Sequence, residues 1–438
     1  MSETLSSGSI STKLARIAEL VRKYPHQPLS SLHQCIDAEW LREAYRRTRK
    51  NAAAGVDGQT AEDYAQDLEG NLANLLDRFR SGAYRAPAVR RVHIAKGDGR
   101  TRPIGIPTFE DKVLQRAVAM VLEAVYEPEF HSGSYGFRPG RSAHDALEAL
   151  WQGGMSIGGG WMLEVDIQSF FDTLDHGVLR RFLDERVIDG VLRRAIDKWL
   201  KAGVLEGGEV THPEEGTPQG GVISPILANI YLHGVLDQWF ESEVKPRLRG
   251  RAFLIRYADD FVVGFDREED ARKVMDVLPK RFGRFGLTLH PTKTRLVKFT
   301  RPRPGRDGDD RPGSFDFLGF RHHWGTSRRG KGVIKRRTSP SRFSRALRRV
   351  REWCRDNRHR PIAEQRKELE RKLRGHYGYY GITGNFDALS RFLLEVRSAW
   401  RYWLARRSQR APMAWDRFEK LNARYPLPKP SIVHSALA

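Results

Sequence analysis

Two adjacent carboxylates, Asp259 and Asp260, sit in the stretch Arg251-Ala-Phe-Leu-Ile-Arg-Tyr-Ala-Asp-Asp-Phe-Val-Val-Gly-Phe265. Apolar runs rich in β-forming residues flank them, which predicts a hairpin carrying both acids at its tip. Like charges this close repel one another unless a cation lies between them. A surface hairpin that happens to turn on Asp-Asp is the plain alternative. Earlier in the chain, Trp161-Met-Leu-Glu-Val165 reads as a short strand that delivers Asp166 at its end. Three carboxylates on two strand ends suit two Mg²⁺ ions, which take oxygen ligands together with substrate phosphates. Phosphoryl or nucleotidyl transfer is the chemistry that such a clamp serves.

Other stretches would have to position a substrate around these acids. Tyr84–Ile94 alternates like a strand, and Gly97 and Gly99 suit a turn into a second strand, so that Lys96, Arg100 and Arg102 lie on a basic hairpin. Such a hairpin is a grip for a triphosphate or for backbone phosphates, and in isolation it reads equally well as a solvated surface. A helix is expected from Asp111 to Val125. Ser134–Leu147 is an aromatic and arginine loop leading into a further helix; its rings either stack on bases or plug a core. Gly216–Leu232 is a glycine-bearing loop opening onto a helix, with Ser224 expected as N-cap and Pro225 at the first helical position. Gly220 and Gly221 leave a flat backbone that could lie against a base pair.

The chain has 438 residues, too many for one ordinary core, and a formal charge of +22, which favours a polyanionic partner such as nucleic acid. Its two cysteines, Cys35 and Cys354, exclude a disulfide framework and a cysteine-rich zinc module, and they suit a reducing cytoplasm. No apolar run long enough to span a membrane occurs, and residues 1–30 hold no continuous apolar segment, so no membrane partner and no secretory signal are expected. From about Ser339 the sequence reads as arginine-dense helices. Arg345, Arg348, Arg349 and Arg355 lie on the first of these, with aromatic residues interspersed, and that mixture suggests an RNA-facing surface over an ordinary core.

Seven stretches in order, Ala54–Gly58, Thr101–Pro107, Ser134–Leu147, Asp166–Asp172, Thr217–Pro225, Tyr257–Asp260 and Phe315–Phe320, resemble a bacterial group II intron-encoded reverse transcriptase and maturase, from about residue 10 to 410. The resemblance implies an α+β right-hand polymerase, its fingers and palm built around an antiparallel sheet, with a C-terminal helical thumb that doubles as the maturase domain. The implied boundaries are an N-terminal helical extension over 1–50, fingers and palm over 51–322, the intron-RNA-binding thumb over 323–410 and a short tail over 411–438. By motif, Asp166, Asp259 and Asp260 match the metal-binding triad, and Ile167 would add its backbone carbonyl. Phe171 matches the bulky ring that excludes a ribonucleotide 2′-hydroxyl, Gln219 the contact to the incoming nucleotide, and Lys96 and Arg102 the triphosphate contacts. Lys293 would help protonate pyrophosphate.

The implied partners are the intron RNA, an RNA template with a DNA primer, and deoxynucleoside triphosphates, in a bacterial cytoplasm. Two departures from the family pattern stand out. Ile94-Ala-Lys96 replaces the usual Ile-Pro-Lys, and the cysteines and histidines of a C-terminal zinc endonuclease are missing, so target-strand nicking is not expected. Two rival readings remain. One is a non-enzymatic RNA-folding maturase on the same scaffold, and the other is a reverse transcriptase of a defence system, a retron or a diversity-generating element.

Overall fold

The computed structural model describes residues 2–25, 27–95, 101–211, 216, 220–302, 313–327, 329–407 and 413–434. The chain divides into two compact units, one made of residues 1–146, 163–263 and 267–296, the other of residues 147–162, 264–266 and 297–438.

In the first unit the helix Phe109–Tyr126 is buried on nearly every side, which is the sequence signature of a core helix rather than a surface one. Thr108 caps it by accepting the Asp111 backbone N–H. The expected start at Asp111 therefore moves two residues earlier, and Asp111 becomes a buried first-turn residue. Helix Ser224–Leu232 is similarly enclosed. It too starts early: Ile223 occupies the cap position without a side-chain cap, and Ser224 and Pro225 fall inside the first turn, so the expected Ser224 cap is corrected by one residue.

Two sheets frame these helices. The strands Val89–Ala95 and Thr101–Ile106 are antiparallel, with Ile94 opposite Arg102, and Val204–Glu206 and Glu209–Thr211 extend that sheet on the Val89–Ala95 side. The second sheet has the order Ala252–Tyr257, Asp260–Phe265, Trp161–Gln168, Thr288–Leu289, and Arg295–Lys298 also pairs with Trp161–Gln168. Asp260–Phe265 is buried along all but its first residue, as a central strand covered on both faces should be.

The second unit contains the three-stranded antiparallel sheet Phe315–Phe317, Phe320–Thr326, Gly332–Thr338. Its first turn is Leu318-Gly319 with φ of 48° and 81°, the two positive values that a tight hairpin with right-handed twist requires. Helices Pro340–Asp356, Ile362–Tyr380 and Phe386–Leu404 then close on a core of Leu347, Val350, Leu373, Phe392, Val396 and Trp400. The Trp400 indole donates to Gln365 Oε1 at 2.9 Å, which satisfies the polar atom of that large buried ring. The C-terminal segment supplies Phe418 and Leu427 to the same core. Trp400 and Tyr377 are thus core aromatics, whereas Tyr402 is exposed. No helix among the described residues is long and apolar enough to cross a membrane.

Candidate active site

Asp166 lies near the end of the strand Trp161–Gln168, where alternation puts it on the same face as Glu164. Its backbone carbonyl accepts the His290 N–H at 2.8 Å, and its Oδ2 accepts Lys293 Nζ at 2.7 Å. Glu164, two residues back, pairs in the same way with Arg295. Register explains both pairs, because Ile167 sits opposite Leu289 and the chain then returns alongside the strand. Ile167 itself is buried. After the strand, Ser169 adopts φ of 47° and accepts the Asp172 N–H at 2.8 Å, a tight turn that buries Phe170 and leaves Phe171 partly exposed. The two rings meet edge to face with centroids 5.3 Å apart. Asp175 caps the next helix as expected, accepting Val178 N–H at 2.7 Å.

The hairpin formed by Ala252–Tyr257 and Asp260–Phe265 turns through Ala258, which holds φ of 57° without being glycine. Asp259 is half-buried and Asp260 exposed. Burial pushes the Asp259 carboxyl above its ordinary value and the Asp166 charge adds to the effect, against the pull of its own backbone N–H, Arg102 and Arg256. Asp166, Asp259 and Arg102 therefore act within one electrostatic neighbourhood, although they are far apart in the chain. Among the described residues no three carboxylate, imidazole or thiol side chains converge closely enough to enclose a metal ion by themselves. Asp166 and Asp259 still form a donor set for a hard cation that completes its shell with water and substrate oxygens, as Mg²⁺ does.

The glycine-bearing loop approaches the basic sheet. A Cβ on Gly220, whose φ is 121°, would stand 2.5 Å from the Gly105 carbonyl oxygen. Gln115 Oε1 accepts the backbone N–H groups of Val222 at 2.8 Å and Ile223 at 3.3 Å. Gln115 is in turn held by Asp111, whose carboxylate also accepts Tyr84 Oη–H and the Trp199 indole. Burial raises the Asp111 carboxyl to about 6 despite those three donors. Sequence reasoning assigned no role to this group. Its one visible signal is an acid followed four residues later by glutamine on a helix that is otherwise apolar.

Arg102 lies exposed on its strand. Lys96 and Gln219 fall outside the described residues. Arg345, Arg348, Arg349 and Arg355 belong to the second unit, on helix Pro340–Asp356, whose buried residues are Leu347, Val350 and Cys354; Arg345 is half-buried and the other three are exposed.

Comparison with known proteins decides the lineage. The family described as reverse transcriptase (RNA-dependent DNA polymerase) matches residues 94–322. The chain belongs to the reverse transcriptase family. The matched span contains Asp166, Phe171, Lys293 and the Asp259-Asp260 turn. Protein YkfC of Escherichia coli (strain K12) is 37% identical over 256 residues, covering 51% of this chain and 67% of its own length. Group II intron-encoded protein LtrA of Lactococcus lactis subsp. cremoris is 31% identical over 273 residues, covering 59% of this chain and 45% of its own. Nuclear intron maturase 2, mitochondrial, of Arabidopsis thaliana is 29% identical over 233 residues, covering 44% and 30%. The chain thus spans two thirds of YkfC and less than half of the other two. These relatives bear out the resemblance to group II intron reverse transcriptases and maturases, and the α+β class agrees with the mixed helix and sheet.

Proposed function

We propose that this protein is an RNA-directed DNA polymerase that also binds its parent group II intron RNA as a maturase, assisting splicing and retrohoming from a bacterial cytoplasm. The observation that carries the reading is the adjacency of the strands bearing Asp166 and Asp260, with the Asp166 charge acting on Asp259. In this reading residues 51–322 supply fingers and palm, and residues 323–410 supply the thumb.

Asp166, Asp259 and Asp260, with the Ile167 carbonyl, would hold two Mg²⁺ ions. Bound there, Mg²⁺ lowers the pKa of a primer 3′-hydroxyl and offsets charge on the leaving pyrophosphate. The 3′-oxygen bonds to the α-phosphorus as the bond to pyrophosphate breaks. By the motif match, Arg102 and Lys96 would contact the triphosphate, and Gln219 the incoming nucleotide and template. Phe171 would exclude a ribose 2′-hydroxyl by its bulk. Lys293, 2.7 Å from Asp166, would help protonate the leaving pyrophosphate.

Primer extension on an RNA template with Mg²⁺ and deoxynucleotides tests this directly. Asp259→Ala is expected to abolish extension, and synthesis at the wild-type rate by that variant would sink the proposal. Phe171→Ala is expected to raise ribonucleotide incorporation relative to deoxynucleotide; unchanged discrimination removes the steric role from Phe171 and leaves the rest standing.

A further inference from the structure

Arg256 is the charged residue in the strand Ala252–Tyr257, and its side chain is completely buried. Its Nε and Nη2 donate to the two oxygens of Asp237 at 2.9 and 2.6 Å, a forked pair with no exposure on either side chain. Its Nη1 donates to Asn229 Oδ1 at 2.9 Å and to the Ala258 carbonyl at 3.1 Å. Asn229 Nδ2 then donates to the Gly136 carbonyl at 2.8 Å. The Arg256 main chain joins the same loop, accepting Tyr135 N–H and donating to the Gly133 carbonyl, each at 2.8 Å. A Cβ on Gly136 would stand 2.3 Å from the Ala258 nitrogen, so the loop lies directly against the turn.

Burying an ion pair gains little stability over apolar residues of the same volume, so stability alone does not account for it. What the network does is directional. The Ala258 carbonyl belongs to the peptide whose N–H is that of Asp259, and that N–H bonds the Asp259 carboxylate. Fixing the carbonyl fixes the peptide plane and hence the aim of Asp259, while Ala258 stays in a left-handed conformation that non-glycine residues resist. Asp237 closes the π-helical turn His233–Asp237, a local widening that changes where its side chain points. The Arg256 charge and hydrogen bonds, with the His233 ring 3.5 Å from Asp237 Oδ2, hold the Asp237 carboxyl well below the usual range although burial opposes them, so Asp237 stays ionised.

We infer that Arg256, clamped by Asp237 and Asn229, is a positioning residue that holds the Ala258-Asp259 peptide in the geometry needed to bind divalent cations. The inference rests on the proposed reading of Asp259 and Asp260 as metal-binding. Lysine in place of Arg256 keeps the charge and loses the fork. Full-length Arg256→Lys and Asn229→Ala are compared with wild type by amide hydrogen exchange without metal and by primer extension across a Mg²⁺ titration. Exchange at residues 257–260 and 134–137 is expected to quicken ten-fold or more while the helices of the second unit keep their protection. Half-saturating Mg²⁺ is expected to rise five-fold or more, with template–primer affinity held within two-fold.

Wild-type exchange at the turn, or an unshifted Mg²⁺ curve, in folded Arg256→Lys overturns the inference. Should Arg256→Lys not fold, Asn229→Ala decides by the same two measurements, because it removes one acceptor and leaves the ion pair in place. If Asp259→Ala retains extension, the metal reading fails by itself, and the exchange measurement alone then judges whether the network holds the turn.

Discussion

The two units use charge in opposite ways. The first buries Arg256, Asp237 and Asp111: Arg256 and Asp237 hold the turn that carries Asp259, and Asp111 holds Gln115 against the glycine-bearing loop. The second keeps its arginines outside and packs apolar or neutral side chains within; among its described residues Arg336, paired with Glu148, is the buried charge. His376 there stacks on Phe392 with centroids 3.9 Å apart, and burial lowers it to about 4, while His322 stacks on Phe315 at 4.8 Å and falls to about 3. A turn held in unusual backbone geometry thus needs directional buried hydrogen bonds, whereas a helical scaffold that presents cations needs only a well-packed interior.

The division between the units can be broken in several places. Asp259→Ala should cut extension by about 10³-fold or more, equivalent to roughly 4 kcal/mol of barrier, while RNA binding through the second unit stays within two-fold. Equal loss of both in binding and single-turnover assays would mean that the units do not divide the work. Asp237→Ala strands the Arg256 charge and should destabilise the first unit by about 3–5 kcal/mol in denaturant unfolding. A cost below about 1 kcal/mol would show that water reaches the guanidinium.

Acid should move the two units in opposite directions. His376 has a folded value below its unfolded 6.5, so the unfolded chain binds more protons; its contribution to the second unit's stability is full above pH 6.5 and falls by up to roughly 3 kcal/mol towards pH 4. Asp111 has a folded value above its unfolded 3.8, so the folded chain binds more protons, and its contribution to the first unit improves by up to roughly 3 kcal/mol as pH drops from 6 to 4. Hydrogen exchange resolved by unit, repeated with His376→Phe and Asp111→Asn, checks both signs. The smallest effect on folding is expected from Arg348→Glu with Arg349→Glu, within about 0.5 kcal/mol. That pair should nonetheless weaken intron-RNA binding and lower its salt slope by about one for each phosphate left without its cation; an unchanged slope would mean that this face meets only solvent.

Much of the site was legible because the relevant signals are local. Alternation of apolar residues around Asp166 and around Asp259-Asp260 marks strand ends, and glycines mark the loops that need them. Helix starts were displaced by one or two residues at Phe109 and Ser224, since a cap depends on a backbone angle that composition only biases. Asp111, Gln115, Asn229 and Asp237 stayed hidden for another reason. A polar residue on a helix reads as solvated until a neighbour covers it.

The residue types and spacing alone therefore determined the chemistry on offer, namely paired acids, a basic hairpin, a glycine loop and arginine-dense helices, because each is written within a few consecutive residues. Tertiary structure decided the pairings: Lys293 with Asp166 across 127 positions, Arg256 with Asp237 across 19, Asn229 with the Gly136 carbonyl across 93. These pairings follow from strand order, register and burial, and the free energy that selects a partner is realised only when water has been excluded from both groups.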